Sequence, residues 1–272
     1  MRVVTPIWRG LRVAEHLLTG TVLALCVAIL QRFRARPAWT TGVVRWWHER
    51  LCRAIGLHIE VSGRLQSNAL LIANHVSWLD IPVIGARGHI AFLSKAEVRA
   101  WPLIGWMADI AGTLFIERGA HQSAEMAARI AGRVRTGKGV VIFPEGTTTD
   151  GRRLARFHPR LFAAAQHEGV RIQPIALRYG QGEIPDQVAP FVGDDALLPH
   201  LLRLLRHPGL HVRIVALPEG VVDNLDRRGL AEHSRSAIAE TLHVPTAIPT
   251  RGARVTDRED LRTVTAPLGR AT

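Results

Sequence analysis

The chain is 272 residues long, 47% hydrophobic and 21% charged. That balance excludes wholesale disorder and leaves apolar surface to spare for lipid. Lys and Arg outnumber Asp and Glu 35 to 23, a formal charge of +12 that needs an anionic partner or surface. Cys26 and Cys52 are the only cysteines, which excludes a disulfide scaffold and a cysteine-rich metal site.

The first predicted element lies in residues 1–55. Leu17 to Leu30 reads LLTGTVLALCVAIL, uncharged but about 14 residues long, short of the roughly 20 that cross a bilayer. Arg32, Arg34 and Arg36 follow it where a signal peptide would carry a small-residue cleavage site. Trp8, Trp39, Trp46 and Trp47 surround it, and tryptophan favours the membrane interface. WWHERLCRAIGL then places Trp46, Trp47, Leu51 and Ile55 at helical spacing with Arg45, Glu49, Arg50 and Arg53 between them. Residues 1–55 therefore read as a pair of membrane-associated helices, the second amphipathic.

From residue 57 short apolar runs alternate with helical stretches. LHIEVSG alternates with period two; ALLIANH, IAFLS and GTLFIE are runs of strand length. SAEMAARIAGRV carries Met126, Ile130 and Val134 at helical spacing. GVVIFPEG reads as a buried strand ending at Pro144, VRIQPIALRY and LHVRIVAL as two more, and residues 228–242 as a closing helix. The expected fold is α/β, a mixed, largely parallel sheet flanked by helices over residues 56–244. Residues 245–272 are polar and read as a mobile tail.

Several signatures fail. GRVRTGKG at 132–139 lacks the final Ser or Thr of a phosphate loop and runs from helix to strand, the reverse of what that loop needs. There is no G-x-S-x-G elbow and no H-E-x-x-H helix, and the 13 histidines do not cluster at metal spacing, so no metal or cofactor is expected. The arginines are spread along the chain without interleaved aromatics, which argues against nucleic acid.

NHVSWLD at 74–80 is different, because it follows ALLIA where a strand hands over to a loop. Sites on open α/β sheets sit at such ends. Asp80 lies five positions after His75, which lets the carboxylate hold one ring nitrogen and leaves the other as an acceptor. Without a protein nucleophile, such a base activates a substrate hydroxyl or a water. Chance alone gives roughly 0.5 such spacings, so the pair gains weight only from its company. Lys95 follows IAFLS, Arg118 follows GTLFIE, Glu145, Gly146 and Thr147 follow VVIF, and Ile172 to Ile175 sit in the next strand. Read as strand C-termini, all converge on one rim. Arg118 offers a planar fork for a phosphate, and Gly146 allows close backbone approach. Thr147 adds a hydroxyl and an amide, and Glu145 serves to orient Arg118 or accept from a substrate hydroxyl.

These blocks resemble the glycerolipid acyltransferase family, the 1-acylglycerol-3-phosphate acyltransferases. NHVSWLD is similar to the family's N-H-x-x-x-x-D motif, and FIER to its arginine block, usually written with Asp where this chain has Glu117. FPEGTT is similar to its E-G-T block and IQPIAL to its proline-containing fourth block. The likeness covers residues 74–177 in order, and the strand pattern extends it to about 220. It implies transfer of a fatty acyl group from an acyl-CoA or acyl carrier protein thioester to a lipid hydroxyl. His75 and Asp80 would be the general base, with Arg118, Glu145, Gly146, Thr147 and Lys95 binding the acceptor. The leading acceptor is 1-acyl-sn-glycerol-3-phosphate, giving phosphatidate, with a lyso-ornithine lipid as the alternative, because FPEGTTTDG resembles both kinds of enzyme. The expected location is the cytoplasmic face of a bacterial inner membrane, monotopic or single-span. A basic, membrane-bound interaction protein is the rival without chemistry, and a base at a strand end argues against it.

Overall fold

The computed structural model describes residues 4–33, 39–116, 122–220 and 225–246. Two helices open the chain, α1 (Val4–Arg32) and α2 (Thr40–Ile55). Gly56 ends α2 in the left-handed region at φ 87°, where its N–H caps the carbonyls of Cys52 and Arg53 and glycine avoids the Cβ penalty. There follow β1 (Leu57–Ser62), β2 (Ala69–Ala73), α3 (Asp80–Gly85), β3 (Ile90–Lys95), α4 (Ala96–Arg99), α5 (Ile104–Ala111) and β4 (Leu114–Ile116). The second half holds α6 (Gln122–Arg135), β5 (Gly139–Ile142), a 3-10 helix at Pro159–Gln166, β6 (Arg171–Gln181), β7 (Ile184–Pro185), α7 (Leu197–Arg206), β8 (Leu210–Ala216) and α8 (Arg227–Leu242). In α8 the Asp226 side chain accepts from the Gly229 N–H at 2.7 Å, a side-chain N-cap.

The strands form one eight-stranded sheet in the order β1-β8-β6-β2-β5-β3-β4, with β7 beside β6. β6, β2, β5, β3 and β4 run parallel. β8 runs against β6, and β1 lies parallel to β8. β2 is central and covered on both faces, which is why ALLIA is apolar throughout and every residue of it is buried. One core packs α1, α2, α3 and α7 against the sheet around Leu71, Ile84, Leu177 and Leu204. The other packs α6, the 3-10 helix and α8 on the opposite face around Ile72, Ile130, Phe162 and Ile238. Met126, Ile130 and Val134, the helical stripe of α6, all lie in this second core.

Three expectations change. The apolar run of 14 residues is part of a continuous 29-residue helix, and Thr5–Arg32 is long and apolar enough to cross a membrane by length and composition. The helix extends past the uncharged run because Trp8, Leu11 and Val13 continue an apolar pattern between isolated polar residues. Next, the block IQPI is not at a strand's C-terminal end. It opens the 11-residue β6, with Ile172 opposite Leu70 and Pro174 opposite Ile72. The Gln173 amide there accepts from Gln66 N–H and donates to the carbonyls of Arg64 and Leu217, stitching the entry end of the sheet. Finally, β5 stops at Ile142, where its pairing with Ile72 ends, and Phe143 turns out of the sheet. The polar C-terminal stretch from residue 247 lies outside the described residues, as does Arg118. Pro245 and Thr246 are tied to Leu154.

Candidate active site

β2 delivers the chain to Asn74, whose buried side chain continues the sheet pairing beyond the strand. Its Nδ2 donates to Leu177 O at 3.0 Å and its Oδ1 accepts from Leu177 N–H at 2.8 Å. His75 follows and is held through its backbone. Its N–H donates to Glu145 Oε1 at 2.8 Å, and its carbonyl accepts from Thr149 N–H at 2.8 Å. The His75 loop is thus pinned between β6 and the turn after β5 before any side-chain chemistry is considered.

Asp80, the first residue of α3, is fully buried. Its Oδ2 accepts from His75 Nδ1 at 2.8 Å, Val76 N–H at 2.8 Å and Ser77 N–H at 3.1 Å. Its Oδ1 accepts from Tyr179 OH at 2.6 Å. With three donors besides His75 aimed at it, the carboxylate accepts throughout, so Nδ1 of His75 carries the proton and Nε2 presents a lone pair. The His75 side chain is 19% exposed where Asp80 is 0% exposed, so the base meets solvent and its orienting partner does not. The imidazole also stacks on Phe143, centroids 4.1 Å apart and planes 17° apart, which fixes its orientation. Ser77, the hydroxyl within the same loop, is fully buried and is not presented as a nucleophile.

The remaining candidate residues separate. Glu145 is 3% exposed, and both its oxygens are taken by backbone amides, Oε1 by His75 and Oε2 by Ala155 at 2.8 Å. It is a clamp on the His75 loop, where the sequence reading placed it against the acceptor or Arg118. Burial pushes its carboxyl up to about 7, against the pull of the two amide hydrogen bonds. Gly146 takes φ 69°, and a Cβ there would stand 3.2 Å from the His158 ring. Thr147 is exposed beside it, and Thr148 donates its hydroxyl to Phe191 O. Lys95 is exposed at the end of β3, opposite Ile116 in register. Arg118 lies outside the described residues. Among the described residues no group of three or more His, Cys, Asp and Glu could hold a metal ion.

Tyr179 was missed by the sequence reading. The available signal was its place in β6, two residues from Leu177 and four from Ile175. That puts its ring on a buried face where a phenol needs a partner. What the assembly offers chemically is an oriented general base at a strand end, open on one side, with no protein nucleophile beside it among the described residues.

A family model described as Acyltransferase matches residues 57–178, which contain every element just described up to β6. A lyso-ornithine lipid O-acyltransferase from Pseudomonas aeruginosa is 48% identical over 249 residues, 90% of this chain and 96% of that protein. A 1-acyl-sn-glycerol-3-phosphate acyltransferase from Neisseria meningitidis is 33% identical over 162 residues, 59% of this chain and 64% of that protein. Among solved structures, the 1-acyl-sn-glycerophosphate acyltransferase PlsC from Thermotoga maritima has TM-score 0.58 at 19% identity. The match covers 85% of this chain and 96% of that one, and it is a likeness of fold. The family model spans the N-H-x-x-x-x-D block at the end of β2, a lyso-ornithine lipid O-acyltransferase matches 90% of the chain, and the chain belongs to the glycerolipid acyltransferase family.

Proposed function

We propose that this chain is a lyso-ornithine lipid O-acyltransferase. The observation that carries the acceptor is the 48% identity to the Pseudomonas aeruginosa protein of that name, extending over 96% of its length. Lysophosphatidate, the leading acceptor on sequence blocks alone, is the second reading, and the shorter match to the Neisseria protein supports it.

In this reading His75 Nε2 takes the proton of the acceptor hydroxyl as the hydroxyl oxygen attacks the thioester carbonyl. Asp80 holds the tautomer and stabilises the imidazolium. The C–S bond then breaks, the proton passes from His75 to the leaving sulfur, and an ester and a free thiol result. The Arg118 fork serves the acceptor headgroup, because a carboxylate offers it two oxygens just as a phosphate does. Gly146, exposed Thr147 and Lys95 complete the headgroup side. Glu145 acts through the His75 loop. The donor is acyl-CoA or an acyl carrier protein, whose anionic surface suits the +12 charge. The enzyme works at the cytoplasmic face of a bacterial inner membrane.

The test is an acyl-transfer assay with lyso-ornithine lipid and with lysophosphatidate, each with acyl-CoA and acyl carrier protein donors. Turnover of lyso-ornithine lipid at least tenfold above lysophosphatidate is expected, and the reverse order overturns the acceptor. His75→Ala should abolish transfer to either acceptor without unfolding the chain. Near-full activity in that variant sinks the mechanism. Arg118→Ala should raise KM for the acceptor far more than for the donor, with Arg118→Lys rescuing only in part.

A further inference from the structure

The turn between α4 and α5 is built to expose apolar side chains. Trp101, Pro102, Leu103, Ile104 and Trp106 are all exposed, five of six consecutive residues. Leu103 sits at φ 61°, ψ −56°, and Ile104 N–H donates to Pro102 O at 2.6 Å. That is a γ-turn with positive φ at its centre, a rare and strained form. Strain held at a leucine that stays 39% exposed points to a use outside the core.

The turn is rigidly seated. Gly105 brings α5 against the end of α4, where an added Cβ would strike the carbonyls of Val98 and Arg99. Met107, two residues on, is buried, and it packs so closely on Gly20 of α1 that a Cβ there would strike it. The tip therefore stands beside α1, whose Leu18, Val22, Leu25 and Ile29 are exposed as well. It also stands at the C-terminal end of β3, the same end of the parallel strands from which β2 presents His75.

We propose that Trp101–Trp106 is a second membrane-insertion element, a tip that seats in the interfacial region of a lipid bilayer beside α1 and holds the His75 rim to the membrane surface. The occupant follows from continuity with α1, a helix apolar enough to cross a membrane, and from the pairing of two tryptophans with a leucine and an isoleucine. Charge plays little part. Lys95 and Arg99 are balanced by Glu97 and by Asp109, which Arg99 contacts at 3.0 Å. Apolar insertion thus carries the contact, and it survives high salt. The proposal is independent of which lysolipid is the acceptor.

The test uses the full chain with Cys26→Ser and Cys52→Ser and a fluorophore on a single new cysteine, reconstituted into phosphatidylcholine vesicles. Leu103→Cys is the probe, and Glu168→Cys, exposed at the opposite end of the sheet, is the control. Lipids carrying a spin label near the headgroup should quench the probe at 103 severalfold more than at 168. Equal quenching at both positions overturns the proposal. A probe at 103 that is shielded from water yet unquenched assigns the face to a protein partner and overturns it too. Separately, Leu103→Ser with Ile104→Ser should lower activity on vesicle-embedded acceptor at least about tenfold, the order expected when two apolar side chains, 39% and 38% exposed, no longer offer that surface to lipid. Activity on the same acceptor in detergent micelles should stay within about twofold of the parent, and an equal fall in both would make the tip a folding element only.

Discussion

Tyr179 donates to the one oxygen of Asp80 that the His75 loop leaves over. Tyr179→Phe removes that donor inside a fully buried site, and an unpaired buried carboxylate oxygen costs about 1–3 kcal/mol. The expected result is a lower melting temperature and a kcat reduced roughly tenfold with KM for the acceptor unchanged, because the phenol touches Asp80 and not substrate. Asp80→Asn should cost far more, about 10⁴-fold in kcat, by favouring the wrong tautomer. If Tyr179→Phe matches the parent in both rate and melting temperature, the phenol plays no part in orienting the carboxylate. Glu145 gives a pH test. Burial raises its carboxyl from 4.5 to about 7 in the folded chain, so between those values the folded state holds a proton that the unfolded state has lost. The group's contribution is therefore full below about pH 4.5 and is lost as pH rises through about 7, at most about 3 kcal/mol in all. Glu145→Gln should flatten that slope, read as melting temperature in detergent at pH 4.5, 5.5 and 7. A slope identical to the parent's would mean that the carboxyl is ionised throughout.

At the scale of elements, Gly146 carries the clearest local test. Its φ of 69° and the His158 ring 3.2 Å from an added Cβ make Gly146→Ala strained and crowded, at a cost of about 1–2 kcal/mol. Because Glu145 beside it grips the His75 backbone, activity should fall with stability; a Gly146→Ala chain as stable as the parent would show that the turn relaxes freely. The same elements show what could be read beforehand. Unbroken apolar runs in ALLIA and GVVI report burial directly, because a central strand is covered twice, whereas the period two of LHIEVS fails at Val61, which is exposed on the edge strand β1. His75 and Asp80 were legible for a related reason, since five residues of local chain fix whether they can meet. What was not legible depends on partners far along the chain. IQPI looked like a strand end, yet β6 runs six residues beyond Ile175, the last position paired with β2. Glu145 looked like a substrate ligand because nothing local says that the amides of His75 and Ala155 will close on it. Tyr179 meets Asp80 across 99 residues of chain.

At the scale of the whole molecule, length alone would let α1 span a bilayer. Its 29 residues rise about 44 Å, against roughly 30 Å of hydrocarbon. Its contacts argue otherwise. Near the N-terminal end, Arg9 donates to carbonyls of Leu205, His207 and Pro208 at the end of α7. Further along, Glu15 pairs with Arg50 of α2 at 2.6 Å, and Gly20 packs on Trp47 and Met107. A helix held to α7, α2 and α5 over its first half cannot cross the hydrocarbon there without drawing those amphipathic elements in after it, and their charged faces forbid that. Lying along the surface, it would instead present the exposed Leu18, Val22, Leu25 and Ile29 to one leaflet while its other side stayed on the domain. The expected arrangement is monotopic. The protein should resist extraction by high salt and need detergent, and deleting residues 1–40 should weaken both membrane retention and activity on vesicle-embedded acceptor. Single cysteines introduced at positions 3 and 40 should react with an impermeant reagent from the same side of sealed vesicles. Reaction from opposite sides would establish a span, and would require the Arg9 and Glu15 contacts to open in the membrane.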